Sequence, residues 1–112
     1  MTNTTMTSEM TFANLIGWSD ITPYEVVRRV SDKTIEVRQM HATIAPEWTP
    51  DVVVGGFAGH TRNNNTQEWV ITPDEAASVR AVRLHKDGQW RDKYGNRYRL
   101  DNKPVRFYDF NF

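Results

Sequence analysis

The sequence predicts a mainly β fold: a small antiparallel β-barrel or sandwich of five to six strands, preceded by a short N-terminal helix. Two observations carry this class. β-Branched and aromatic residues alternate with polar ones from Tyr24 onward, and turn-forming residues interrupt them at short intervals. A chain of 112 residues, 38% of them hydrophobic, can bury one modest core. We therefore expect one domain over residues 8–112, after a polar, disordered tail over residues 1–7.

The first element is predicted to be a helix. Ser8 is a suitable N-cap, Phe12, Leu15 and Ile16 fall on one face at helical spacing, and Gly17 can end it. A helix of one or two turns needs tertiary packing to persist.

The middle of the chain predicts a β-hairpin and then a long connection. Residues 24–40 alternate as two strands around the turn formers at 31–33. Prolines and glycines follow, with a short strand at 52–54 and a polar run at 62–66 that indicates a mobile loop.

The C-terminal half predicts further short strands at 67–72, 79–86, 89–91 and 97–100. Asp87-Gly88 is the strongest hairpin signal in the chain, because glycine readily takes the positive φ of a tight turn. A second turn is expected at 94–96. In the last of these strands, Arg97 and Arg99 share one face, opposite Tyr98 and Leu100.

The chain ends on aromatic residues at alternating positions, in the segment 107–112. A frayed tail is rarely so apolar, so we expect it to dock as an edge strand or to reach into a neighbouring subunit. On that basis the protein is predicted to be a homo-oligomer.

Several classes of chemistry find no support in the sequence. Without cysteine there can be no disulfide, thiolate metal site or cysteine nucleophile, and a reducing cytosol is the natural setting. No apolar run approaches the roughly 20 residues that span a bilayer, and no secretion signal is evident. His41, His60 and His85 are far apart, and no phosphate loop or nucleophile elbow occurs. We expect no catalytic residues, no metal and no cofactor.

The charge distribution is asymmetric, although the formal net charge is zero. Residues 80–106 carry nine basic side chains against three aspartates, whereas acidic residues dominate the earlier part of the chain. Such a segment can form a positive face that binds anions. The alternative is a solvated face whose charges pair with the acidic half.

Arginine and aromatic residues together suit a nucleotide, because guanidinium groups match phosphate oxygens and rings stack on bases. For Arg28, the alternative is a partner across the hairpin, Glu36. Trp90 and Tyr98 are candidates for base stacking, with ordinary core positions as the alternative. The candidate ligand-binding residues are Arg28, Arg83, Trp90, Arg91, Arg97, Tyr98, Arg99 and Arg106.

Several stretches of the sequence resemble small, mostly uncharacterised proteins of tailed bacteriophages and prophages. They lie at residues 17–20, 23–27, 30–38 and 86–90, and the likeness continues in the aromatic end at 107–109. A weaker resemblance is to the Thoeris anti-defence sponge proteins, small β-rich phage oligomers that sequester cyclic nucleotide signals. That resemblance implies a pocket between subunits, with arginines on phosphates and aromatic rings beside the base.

These observations lead to one functional expectation and two rivals. The leading hypothesis is a non-enzymatic phage counter-defence protein that acts in the host bacterial cytoplasm and sequesters a cyclic nucleotide or ADP-ribose-type signal. The first rival is an inhibitor that binds a host defence protein, in the manner of an anti-CRISPR protein. The second is a small barrel that binds nucleic acid.

Overall fold

The computed structural model describes residues 11–53 and 60–110. About half of these residues belong to β-strands, and a 3₁₀ helix covers Asn64–Thr66. The strands are β1 (Phe12–Ile16), β2 (Ile21–Ser31), β3 (Thr34–Gln39), β4 (His41–Ile44), β5 (Val52–Val53), β6 (His60–Thr61), β7 (Trp69–Thr72), β8 (Val79–Leu84), β9 (Trp90–Arg91) and β10 (Arg97–Asp101).

Six strands close into an antiparallel barrel in the order β1-β10-β9-β8-β3-β2, with β2 returning to β1. Two further ribbons pair β4 with β7 and β5 with β6. The predicted mainly β class and the antiparallel barrel are therefore confirmed. Over the described ranges, no helix has the length and apolar character needed to cross a membrane.

The barrel interior follows the period-two alternation of its strands. Successive side chains of a strand point to opposite faces, so every second residue reaches the core. The buried cluster is Ala13, Tyr24, Ile35, Val37, Val82, Trp90 and Tyr98, with Leu15, Val26, Leu84 and Leu100 packed against it. The residues between them form the outer surface, which carries the arginines considered below.

The predicted N-terminal helix is wrong where the structure describes it. Residues 12–16 form β1, in which Ala13 and Leu15 alternate into the core, while Phe12 and Ile16 lie on the other face. β1 pairs over all five residues with both β10 and β2. The apolar pattern of residues 12–16 fits a strand as well as a helix. A helix this short has little stability of its own, so the hydrogen bonds of two complete backbone ladders outweigh it.

The predicted hairpin over residues 24–40 is confirmed as β2 and β3, although β2 begins earlier and contains two register shifts. Gly88 and Gly95 occupy the two predicted turns with φ of 83° and 85°. Strand β7 begins two residues later than predicted, and the strand predicted over residues 79–86 ends at Leu84. The ribbons raise the number of strands above the predicted five to six.

The polar run at 62–66, predicted as a mobile loop, contains the 3₁₀ helix and directly follows β6. Strand β5 occupies the first two residues of the predicted strand 52–54. Residue 54 lies outside the described residues. So does the tail predicted over residues 1–7.

The C-terminal segment docks on its own chain, which was the first of the two predicted arrangements. Phe107 and Ile21 exchange backbone hydrogen bonds of 2.9 and 3.0 Å. The ring of Phe110 packs on Trp48, with 5.5 Å between ring centroids. Residues 111 and 112 lie outside the described residues. These contacts lie within a single chain, so the predicted homo-oligomer stays a prediction.

Asn14 fixes the chain that leaves the barrel after β10. Its side chain is on the outer face of β1, yet the residue is fully buried. Its amide Nδ2 donates to the carbonyl of Lys103 at 3.2 Å, and its Oδ1 accepts the backbone N–H of Val105 at 2.8 Å. One side chain thus satisfies two backbone groups of the C-terminal segment.

Replacing Asn14 with alanine should destabilise the protein by about 2 kcal/mol, because it leaves two partly buried backbone groups without a partner. Urea unfolding followed by circular dichroism would measure this change. Asn102→Ala, at an exposed position in the same segment, is the matched control and should change the free energy of unfolding by less than about 0.5 kcal/mol. Equal effects of the two variants would contradict the assigned role of Asn14.

Candidate functional site: an arginine row beside a groove

Three arginines form a row across the outside of the barrel. Arg91 of β9 is the register partner of Arg83 on β8 and of Arg97 on β10. Directly opposite side chains on one face of an antiparallel sheet have Cβ atoms about 4.5–5.5 Å apart. Arg99 lies two residues beyond Arg97 and therefore on the same face. The barrel thus brings four arginines that are spread over 17 residues of sequence onto one basic surface. We call these residues, Arg83, Arg91, Arg97 and Arg99, the arginine row.

The arginine row has little internal charge compensation. Arg91 donates to both carboxylate oxygens of Asp87, at 3.3 and 2.7 Å. The pKa of the exposed Asp87 carboxyl is lowered, and this contact makes the largest contribution to that shift. Across the described residues, Arg83, Arg97 and Arg99 make no ion pair. Like charges directly opposite each other on a sheet are destabilising, so an anion that bridges the arginine row would relieve that repulsion.

A groove of about 900 Å³ opens beside the arginine row, between the outer face of β8 and the β9–β10 turn. Its volume falls within the range of roughly 300–1,000 Å³ that is typical of small-molecule sites. One wall is strand β8 and the residue after it, and the other is the turn. The side chains and backbone that line it include Val79, Ala81, Arg83, His85, Arg91, Lys93, Tyr94 and Gly95.

Tyr94 supplies an accessible aromatic ring to this groove. The residue is 72% exposed, and the ammonium group of Lys93 lies 5.2 Å from the centroid of its ring. An exposed ring next to a cation is suited to stack on a base while the cation attracts a nearby phosphate. Tyr94 therefore lines the same groove as two members of the arginine row, Arg83 and Arg91.

A buried polar cluster underlies the same wall. Asp92, whose side chain is only 1% exposed, accepts the phenolic O–H of Tyr98 at 2.8 Å and a guanidinium N–H of Arg80 at 3.2 Å. Arg80 also donates to the Tyr98 oxygen at 3.1 Å and lies over the ring of Tyr24, 5.3 Å from its centroid. These contacts fill the end of the barrel below the β9–β10 turn.

The cluster controls the protonation of its members. Burial alone would raise the pKa of Asp92, but hydrogen bonds from Asn96, Tyr98 and Tyr94 lower it overall. For Tyr98, burial and the hydrogen bond to Asp92 both raise the pKa. For Arg80, burial acts to lower the pKa, and the contacts to Tyr98 and Asp92 raise it overall. At neutral pH Asp92 and Arg80 are therefore charged, and Tyr98 is a neutral donor.

The structure brings together four of the arginines proposed from the sequence: Arg83, Arg91, Arg97 and Arg99. It places the other two elsewhere. Arg28 lies on β2 and pairs with Glu36 at 3.8 Å, the partner that the alternative interpretation named.

Arg106 belongs to the C-terminal segment. Its guanidinium group lies between the rings of Trp69 and Tyr108, 5.1 and 5.8 Å from their centroids, and donates to the carbonyl of Ile21 at 3.3 Å. It lines a smaller cavity of about 360 Å³, together with Met40, and has no place in the groove.

The two aromatic residues proposed for base stacking lie in the barrel interior. Trp90 is 7% exposed and Tyr98 is 2% exposed, and the ring of Tyr98 packs edge-on against Tyr24 at 5.3 Å. This is the core position that the sequence left open as the alternative. The accessible ring at the groove is instead Tyr94, which the sequence marked only as part of a turn.

Arg80 and Asp92 were also missed as members of a site. The signal available was the spacing of Asp92, Asn96 and Tyr98 around Gly95, since an aspartate before a tight turn commonly accepts backbone N–H groups within it. The contribution of Arg80 from another strand has no local signal. No group of three or more potential metal ligands lies together in the described part of the chain.

Comparisons of the chain with protein-family models, with curated proteins and with solved structures found no match. A proposal for its function therefore depends on the geometry of the groove and on the resemblance noted in the sequence.

Replacing Asp92 with asparagine should lower the free energy of unfolding by about 2–3 kcal/mol at neutral pH. The amide N–H₂ would face the three donors that Oδ2 now accepts, from Asn96, Tyr98 and Arg80. The pKa of Asp92 is lowered on folding, so its stabilising effect is present above the ordinary value of about 3.9 and is lost as pH falls through the lower folded value.

Urea unfolding of the wild-type protein and of Asp92→Asn at several pH values would test this linkage. The difference between the two proteins should be constant above about pH 5 and should shrink below about pH 4. A difference that grows on acidification would contradict the assigned charge state.

Proposed function

We propose that this protein binds and sequesters a nucleotide in the groove between β8 and the β9–β10 turn, without chemical turnover. The observation that carries the proposal is the register of the arginine row, in which Arg83, Arg91 and Arg97 are direct cross-strand neighbours. Such an arrangement costs stability in the free protein and gains it back on binding an anion.

The phosphates would be held by Arg83 and Arg91, which both line the groove. Guanidinium groups can donate two parallel hydrogen bonds to phosphate oxygens, and these charge-assisted bonds are stronger than neutral ones. The ion pair between Arg91 and Asp87 is on the surface, where such pairs contribute little stability. A phosphate can therefore replace Asp87 at modest cost.

The base would stack on Tyr94 across the groove. Ala81 and Val79 supply an apolar floor between the phosphate side and this ring. Stacking tolerates different bases because every base has a π face. This assigns the stacking role to Tyr94 in place of Trp90 and Tyr98, whose rings pack in the core.

Binding without turnover is supported by the state of the carboxylate nearest the groove. Asp92 accepts hydrogen bonds from Tyr94, Asn96, Tyr98 and Arg80, and its pKa is lowered. A carboxylate with its lone pairs so occupied is a weak general base. Asp92 is thus poorly suited to act as a base for turnover in the groove.

The biological setting follows from the resemblance to tailed-phage proteins and, more weakly, to anti-defence sponges. A phage protein that removes a cyclic nucleotide or ADP-ribose-type signal would act in the host cytoplasm. Binding would then suffice, because sequestration lowers the free concentration of the signal as long as the complex is tight.

A second candidate function is binding of single-stranded nucleic acid. It is favoured by the extension of the arginine row beyond the groove to Arg97 and Arg99, which line a separate recess of about 550 Å³ next to Ile16. A continuous basic track beside recesses is the pattern of proteins that follow a phosphate backbone. The two functions differ in salt dependence, which is steep for many phosphate contacts.

The purified protein should retain an intact small nucleotide. We would incubate it with a panel of cyclic nucleotides and ADP-ribose isomers, remove free ligand, denature the protein by heat and identify the released compound by mass spectrometry. The expected result is unmodified ligand near one per binding site. Retention of none of the panel would refute sequestration, and release of a hydrolysed product would refute binding without turnover.

Arg91→Gln should weaken binding of the retained nucleotide by roughly 10- to 100-fold, because it removes a charge-assisted contact worth about 1.5–3 kcal/mol. Isothermal titration calorimetry would measure the dissociation constant. The matched control is Arg62→Gln, since Arg62 also pairs with an aspartate, Asp51, at 2.7 Å on the surface. The control should bind like the wild type, and equal losses in both variants would argue for nonspecific charge attraction.

A further inference from the structure

The inference depends on the proposed function and concerns how the protein positions its contacts to the base and to the phosphates. We infer that Asp92 and Tyr98 are positioning residues, which hold Tyr94 against the nucleotide base from inside the barrel and leave the phosphate contacts unaffected. The juxtaposition of a buried polar cluster and an exposed ring on one turn carries this inference.

Asp92 binds the turn at several points through its two oxygens. Its Oδ1 accepts the backbone N–H of Tyr94 at 2.9 Å and that of Asn96 at 3.0 Å. Its Oδ2 accepts the side-chain amide of Asn96 at 2.9 Å and the O–H of Tyr98 at 2.8 Å. The carboxylate therefore links both ends of the turn to strand β10.

The turn has few other constraints. Its residues from Lys93 to Gly95 are exposed. Gly95 has a φ of 85°, and a glycine backbone can adopt many other conformations unless its neighbours restrain it. Two backbone hydrogen bonds close it, from Gly95 N–H to the Asp92 carbonyl and from Asp92 N–H to the Asn96 carbonyl, each 3.1 Å. Loss of the side-chain contacts would release conformational entropy in the segment that carries Tyr94.

The cluster is rigid because the barrel core supports it. The ring of Tyr98 meets Tyr24 edge-on at 5.3 Å, and the guanidinium group of Arg80 lies 5.3 Å from the same Tyr24 ring. Asp92 is thus fixed by side chains from β2, β8 and β10. The Asp92 carboxylate therefore connects the exposed turn that carries Tyr94 to the ordered core.

The phosphate side is positioned differently. Arg83 and Arg91 are held by the backbone ladder between β8 and β9, and neither donates to Asp92 in the described hydrogen bonds. Changes in the cluster should therefore reach the base and spare the phosphates. This separation is a property that a merely structural role for Asp92 would not produce.

The test compares two probes, ADP and inorganic pyrophosphate, on the full-length protein by calorimetry. Asp92→Asn should weaken ADP binding by about tenfold, and Tyr98→Phe, which keeps the ring, by about threefold. Pyrophosphate binding should change by less than about twofold in both variants. Ile35→Ala is the control for lost stability, since Ile35 is fully buried in the core on β3, a strand with no residue in the lining of the groove, and it should spare both probes.

A double-mutant cycle shows whether the effect passes through Tyr94. In a Tyr94→Leu background, Asp92→Asn should cause almost no further loss of ADP affinity. Equal weakening of ADP and pyrophosphate, no weakening of either, or full additivity with Tyr94→Leu would overturn the inference while leaving the proposed function intact. If the wild-type protein binds neither probe nor any nucleotide of the retention panel, the proposed function fails and the inference with it.

Discussion

Backbone pairing between β1 and β10 closes the barrel, and the remaining architecture depends on that closure. β1 joins β10 on one edge and β2 on the other, so five residues complete two ladders. Closure removes the free edges that a six-stranded sheet would otherwise expose. It also fixes β10 beside β9, which is the condition for aligning Arg97 with Arg91 and for bringing Tyr98 above Asp92.

The candidate site combines two electrostatic costs, a repulsion on the surface and the desolvation of a buried charge. The arginine row places like charges opposite one another, and the cluster around Asp92 buries a carboxylate whose desolvation must be offset by its hydrogen bonds. Proteins often accept such costs where they bind ligands, because preorganised charges need not rearrange on binding. The coincidence of both features on one groove supports a binding role for it.

The extent to which the sequence predicted this structure depended on the range of the interactions involved. Period-two alternation and the turns at Gly88 and Gly95 were predictable, because pleating and positive φ are local properties. The helix over residues 12–16 was predicted wrongly for the opposite reason. Residues 12–16 become a strand through pairing with residues up to 89 positions away, which no local preference reveals.

The sequence by itself determined a β class, an anion-directed composition after residue 80 and the shared face of Arg97 and Arg99, since each follows from composition or from strand periodicity. Only the tertiary structure decided which arginines are neighbours and which ring is accessible. Register between strands is set by closure and core packing, and burial depends on what covers a side chain. These are the interactions that bury Trp90 in the core and leave Tyr94 exposed.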